Sequence, residues 1–314
     1  MKARWIAAAI GVAALAAVPF VGSATIVQFG INALLVAALA QAWNILGGYA
    51  GYPSFGNSAF YGLGTYGTAI AMSQFHQPFA VGLALGAVLG IACAVILGVP
   101  ILRLRGPYFA IVTLGLSAVM AAIFQNIEIA GKNIGLILPL FRGDVLFYEL
   151  ALALLVAATA AVAWIARSRF GAGLVAIREN EDAAVVMGVQ TTRFKVVALV
   201  LAAFFSALAG GIHAYWITFV DPSSAFDATL NVRMVIMTVF GGPGTVLGPI
   251  VGSFLLSGIS EVLASKISMV ASGFYGLVIV VAVLFMPKGL MDVGQGFRHL
   301  GWRYFIDNMR RFRL

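Results

Sequence analysis

Charge is what this chain has least of: Asp, Glu, Lys and Arg together make up 10% of 314 residues, against 62% hydrophobic. Such a chain has too little polar surface to clothe a soluble fold, because apolar area left in water is costly. Its one cysteine, Cys93, lies in an apolar run, which excludes a disulfide framework and a thiolate metal cage. His76, His213 and His299 are too dispersed to read as a ligand cluster, so no metal site is expected. No glycine-rich loop ends in Gly-Lys-Ser/Thr, which removes the usual cradle for the phosphates of ATP. Neither catalysis nor a cofactor is expected of this chain.

What the sequence does have is a succession of apolar runs. Crossing a hydrocarbon core takes about 20 helical residues, and ten spans can be read at 5–22, 25–46, 57–74, 79–101, 108–128, 146–166, 196–217, 230–241, 246–264 and 268–286. The eighth is too short to cross alone and reads as a broken or tilted helix. The predicted fold is all-α, a polytopic transmembrane bundle of roughly eight to ten helices. It forms one domain over residues 1–290, with a polar loop at 167–195 and a basic tail at 291–314.

The net charge of +8 sits in short clusters flanking the apolar runs, not on one polar face, which argues for membrane topology and against nucleic acid. Lys2 and Arg4, Arg103 and Arg105, Arg167, Arg169, Arg178, Arg193 and Lys195, then Lys288 and the tail arginines all fall on one side if both termini are cytoplasmic. That requires an even number of spans. In a competing reading, the basic start followed by an apolar run and Gly22, Ser23 and Ala24 is a cleaved signal peptide, which leaves an odd number.

Two segments interrupt the helical pattern. In GGYAGYPSFGNSAFYGLGTY, residues 47–66, no regular helix is favoured through 47–56, since Gly costs up to about 1 kcal/mol and Pro about 3 kcal/mol in a helix interior. FGGPGTVLGP, residues 240–249, breaks the second half in a similar way. Non-helical backbone at membrane depth is tolerated only where protein or a water-filled cavity satisfies its polar groups. Paired interruptions of this kind point to a transport site, with Asn44, Tyr52, Ser54, Asn57, Phe60, Gly241, Gly242 and Gly244 as candidates for the translocation path. The plainer reading is close helix packing, and it is preferred for Gly62 and Gly64.

The polar loop FGAGLVAIRENEDAAVVMGVQTTRFK, residues 170–195, gathers charge that the rest of the chain avoids. Asn180 can cap a short helix, Glu181 and Asp182 fall in its first turn where the helix dipole favours anions, and Gly188 can end it. Ala183 and Ala184 leave a low surface, while Arg178, Glu179, Arg193 and Lys195 read as rim contacts. The expected role is docking of another polypeptide, carried by Arg178, Glu179, Glu181, Asp182, Ala183, Ala184 and Gly188; the alternative is an ordinary solvated loop. Glu128, Glu149, Arg233, Glu261 and Lys266 fall near span ends, where snorkelling accounts for them. With no acid or histidine evident deep in a span, an ion-coupled transporter is disfavoured.

Five motifs, in order, resemble the LivM-type permeases of branched-chain amino-acid ABC importers. They are Asn44 with the 47–66 segment, LRLRGPYFAIVTL at 102–114, the loop 170–195, FGGPGTVLGP, and VLFMPKGL at 283–290. The resemblance implies a permease working by alternating access in a bacterial inner membrane, with ATP hydrolysed elsewhere. Its implied partners are two ABC ATPase subunits, a second homologous permease, a periplasmic substrate-binding protein and membrane lipid. The chain departs from the family at Ala118, where relatives commonly carry glutamate, and in a docking motif that opens on Asp182 without the usual Ile-x-Leu-Pro ending. The alternative function is a nucleotide-independent channel or facilitator for urea, amides or another small polar solute.

Overall fold

The computed structural model describes residues 2–141, 143–266 and 289–291, and within them the chain is a helical bundle. In chain order come α1 (Lys2–Val21), α2 (Ala24–Trp43), α3 (Asn57–Ser73), α4 (Phe79–Ile101), α5 (Pro107–Asn126), α6 (Asp144–Arg167), α7 (Arg169–Glu179) and α8 (Glu181–Val186). Then follow α9 (Thr191–Ile217), α10 (Pro222–Ala225), α11 (Ala228–Gly241) and α12 (Gly248–Lys266). The expected span at 268–286 and residues 292–314 of the basic tail lie outside the described residues. Among the described residues, five helices are long and apolar enough to cross a membrane: α2 with its extension to Tyr49, α4, α5, α6 and α9.

Local chemistry sets many of the boundaries. Pro78 precedes α4, Pro107 opens α5 after Gly106 at φ 58, and Thr218 ends α9 in the left-handed region. Two expectations need correction. The helix of α2 runs on to Tyr49 as a wide π-type turn over Asn44–Tyr49, so only 50–56 is without helix. The polar loop is also more ordered than expected, because α7 precedes the short helix and is capped by Ser168 Oγ, which accepts from Gly171 N at 3.1 Å.

Helices α2 and α9 form the buried centre, while α4 and α5 leave most of their apolar side chains on the outer surface. Lipid is as apolar as leucine, so helix association here relies on close packing rather than on escape from water. Helices α3, α4 and α9 meet almost backbone to backbone. A Cβ on Gly64 would collide with the Ala207 carbonyl oxygen, and one on Gly86 would lie 2.6 Å from the Gly64 oxygen. Gly62 is likewise filled by the Phe226 ring, so both glycines of the third span serve packing.

At one end of the bundle a two-stranded antiparallel ribbon, β1 (Leu136–Ile137) with β2 (Phe219–Val220), ties the 127–143 connection to the end of α9. The opposite end gathers the polar loops, and it is there that the sequence motifs meet.

Candidate functional site

The short helix α8 is closed at both ends. Asn180 Oδ1 accepts from Ala183 N at 3.0 Å. At the other end Gly188, at φ 85, donates to Val185 O at 2.9 Å and Val189 donates to Ala184 O at 3.0 Å, the paired bonds of a Schellman stop. Its two faces differ sharply. Ala184 is buried and the Glu181 side chain is 12% exposed, whereas Val185, Val186 and Met187 are 52%, 87% and 84% exposed. Three consecutive exposed apolar residues on a polar loop form a patch that water does not favour.

The inward face of α8 is fixed by a charge cluster. Lys195, in the first turns of α9 and only 3% exposed, donates to Glu181 Oε1 at 2.7 Å, Tyr52 Oη at 3.0 Å and the Leu102 carbonyl at 3.0 Å. Tyr52 in turn donates to Glu181 Oε2, and Arg105 approaches the same carboxylate at 3.5 Å while bonding Asp182 at 3.0 Å. Burial pushes the Glu181 carboxyl up, but the hydrogen bonds from Lys195 and Tyr52 and the charges of Lys195 and Arg105 outweigh it. The net result is a carboxyl held below its ordinary range, ionised and fully bonded. Lys195 is thus a buried anchor, not the exposed rim contact its sequence position suggests.

A second tie runs from α7 to both interruptions. Arg178 Nη1 donates to Gly48 O at 3.0 Å, and its side chain lies where a Cβ on Gly51 or Gly244 would fall, 2.5 Å and 2.8 Å away. Asn44 then joins the two interruptions directly, accepting from Gly244 N at 2.8 Å and donating to Thr245 O at 2.9 Å. Gln41 adds a bond to Val246 O at 2.6 Å. A Cβ on Gly289, from the closing motif, would fall 2.5 Å from the Gly242 backbone, so the two glycines pass closely. Parts of all five motifs, the last through Gly289, therefore meet at one end of the bundle.

From Tyr52 the irregular stretch climbs into the bundle. Phe55 N donates to Thr113 Oγ1 at 3.0 Å, and Ser58 N donates to Asn231 Oδ1 at 2.8 Å while its hydroxyl bonds Ser117 at 2.9 Å. Ser117 lies ten residues into α5 and Asn231 ten residues before the end of α11, placing Ser58 about 15 Å above the loop end at 1.5 Å per residue. Asn57 reaches Ser206 of α9, eleven residues beyond Lys195, again about 16 Å. Half of a 30 Å hydrocarbon core is about 15 Å, so α3 begins near mid-depth and the 50–56 leg is backbone inside the bundle.

The path candidates thus separate. Asn57, Ser54 and Phe60 are buried at the leg and the start of α3, with Ser54 O accepting from Trp43 Nε1 at 2.7 Å. Tyr52, Asn44, Gly241, Gly242 and Gly244 belong to the loop end. Among the docking candidates, Asp182, Ala183, Glu179 and Gly188 are exposed; Glu181 and Ala184 face inward, and Arg178 spends its guanidinium on Gly48 and, at 3.4 Å, on Glu179. Sequence reasoning missed Ser58, Ser117 and Asn231, since lone polar residues in apolar runs carry no pattern. His213, named there only as too dispersed for a ligand cluster, sits within α9 with Nδ1 2.5 Å from the Tyr61 hydroxyl.

A family model described as the permease component of branched-chain amino acid transport systems matches residues 24–285. The high-affinity branched-chain amino acid transport system permease protein LivM of Salmonella typhimurium is 27% identical over 307 residues, covering 88% of this chain and 72% of the relative. The LivM protein of Escherichia coli is 26% identical over the same coverage. A ribose import permease protein, RbsC of Bacillus subtilis, is 31% identical over 131 residues, or 39% of this chain and 40% of its own. No solved structure matches the chain.

Proposed function

Since the chain belongs to the family of permease components of branched-chain amino acid transport systems and is the membrane subunit of an ABC importer, we propose that it carries branched-chain or related small amino acids. Importers of this kind work with ATPase and binding-protein partners. In our reading two ATPase subunits, a second homologous permease and a periplasmic receptor complete this one. The loop end faces the cytosol, with both termini on that side. Asp182, Ala183, Gly188 and the apolar tip Val185, Val186 and Met187 seat the ATPase, and Arg178, Glu181 and Ala184 hold that seat to the bundle.

The observation that carries this reading is the two-sidedness of α8, bolted on its inner face and apolar on its outer one. A surface loop with no partner has no use for that arrangement. Inside the bundle, the leg at 50–56 and the start of α3 line the path, with Asn57 and Phe60 at mid-depth and Asn44, Gly242 and Gly244 forming its cytosolic closure. The apolar surroundings suit aliphatic side chains.

Gly188→Glu is the test. It places a charge and a strained left-handed residue beside the apolar tip, where nothing lies within 4 Å of a Cβ, so the protein still inserts. Co-purification with the ATPase subunits is expected to disappear. Undiminished assembly and uptake in that variant would remove the docking assignment, and uptake without nucleotide by the unaltered protein would favour a facilitator.

A further inference from the structure

We propose that the Tyr52 hydroxyl is where motion of α8 enters the membrane domain, and that residues 52–57 act as a short connecting rod to the start of α3. This rests on the docking role of α8 given above. The end of the rod is gripped firmly. Lys195 spends all three ammonium protons on Glu181, Tyr52 and Leu102, and its ammonium also lies 4.5 Å from the centre of the Tyr52 ring. The ring meets Phe109 of α5 edge-on at 5.2 Å, so its position is fixed from both sides. Tyr52 is the sole residue of the leg that bonds to α8 among the described contacts.

The rod itself is short and held by its neighbours. Tyr52 and Asn57 are separated by five residues, and a chain stretches to at most about 3.5 Å per residue. The leg bends at Gly56, whose N donates to Ser54 Oγ at 3.2 Å, and it is braced along its length, with Ser54 O accepting from Trp43 Nε1 at 2.7 Å and Phe55 N donating to Thr113 Oγ1 at 3.0 Å. Pro53 further restricts the leg by fixing its own φ. A displacement of Glu181 is passed along this short braced leg to the first turn of α3, where Asn57, Ser58 and their partners Ser206, Ser117 and Asn231 meet. The Arg178 contact to Gly48 and Gly244 ties α7 to the end of α2 and to the second interruption, and has no bond to the start of α3 among the described contacts.

Tyr52→Phe removes one oxygen and leaves the ring and the Lys195–Glu181 ion pair in place. The complete transporter, reconstituted in proteoliposomes with its ATPases, second permease and receptor, is assayed for uptake of radiolabelled leucine, isoleucine and valine and for ATP consumed. Solute moved per ATP is expected to fall at least fivefold while the subunits still co-purify. Glu181→Gln, which leaves Lys195 without its counter-charge, is expected to fall further; if that chain does not accumulate, Tyr52→Phe decides alone. An unchanged ratio in Tyr52→Phe overturns the inference and leaves the docking assignment standing. Loss of co-purification in Tyr52→Phe also overturns it, by assigning the hydroxyl to docking. Failure of the unaltered transporter to move any of the three amino acids overturns the proposed function, and this inference with it.

Discussion

The glycine-packed trio of α3, α4 and α9 and the loop end of the bundle are held together by opposite means. In the trio, helices touch through backbone, and several buried hydroxyls, those of Thr65, Thr68 and Tyr66, have no hydrogen-bond partner among the described residues. At the loop end glycines pack closely too, as Gly241 does against Gly248, but there Lys195, Glu181, Tyr52, Arg105, Arg178 and Asn44 are also joined by directional bonds. Steric packing has one good arrangement and resists sliding. Directional bonds can be broken and remade in another geometry, at a cost set by what replaces them. The difference predicts rigid-body character for the trio and switching at the loop end, where the proposed docking places the ATPase.

Three perturbations probe that contrast, beginning with the largest effect. Gly64→Leu should prevent the trio from closing, because the new side chain has only the Ala207 carbonyl to push against. A loss of about 3 kcal/mol or more is expected, seen as a protein that no longer accumulates in the membrane. Normal accumulation and an unchanged melting temperature would show that the trio is not rigid.

Lys195→Met should come next, at about 3 kcal/mol, because it leaves Glu181 buried beside Tyr52 without its nearest charge. Adding Glu181→Met should restore much of the loss in thermal melts of the purified protein while leaving transport impaired. If the double variant melts no higher than the single one, the cluster contributes more than charge balance.

The smallest effect is a pH dependence. The folded-state carboxyl of Glu181 is held below its ordinary value of 4.5, so its contribution is fully present above that value and disappears as pH falls through the lowered one. Melting temperature should therefore drop below about pH 4.5 more steeply in the unaltered protein than in Glu181→Gln. Parallel profiles would place the acid sensitivity elsewhere.

Much of the bundle was legible in advance because a membrane imposes a length and a composition on each crossing. The runs at 79–101 and 25–46, for example, match α4 and α2 closely at their starts. The stop at Gly188 and the cap at Asn180 were readable because they act within four residues of themselves. Helix α7 was not, since the same charges and glycines fit a loop equally well until Ser168 caps it and α9 supports it. Lys195 gave the wrong impression, because an isolated lysine near a span end belongs by default at the interface, and only the fold brings Glu181 and Tyr52 to meet it.

By itself the sequence determined that this chain lives in a membrane as a helical bundle, where its helices break, and where a short capped helix would stand. Those properties depend on local chemistry and on the solvent. What only the tertiary structure decided is that Asn44 meets Gly244, Arg178 meets Gly48, and Lys195 meets Glu181 and Tyr52. Contacts across 130 residues or more, such as the first two, arise from how the helices pack, and no local pattern along the chain encodes them.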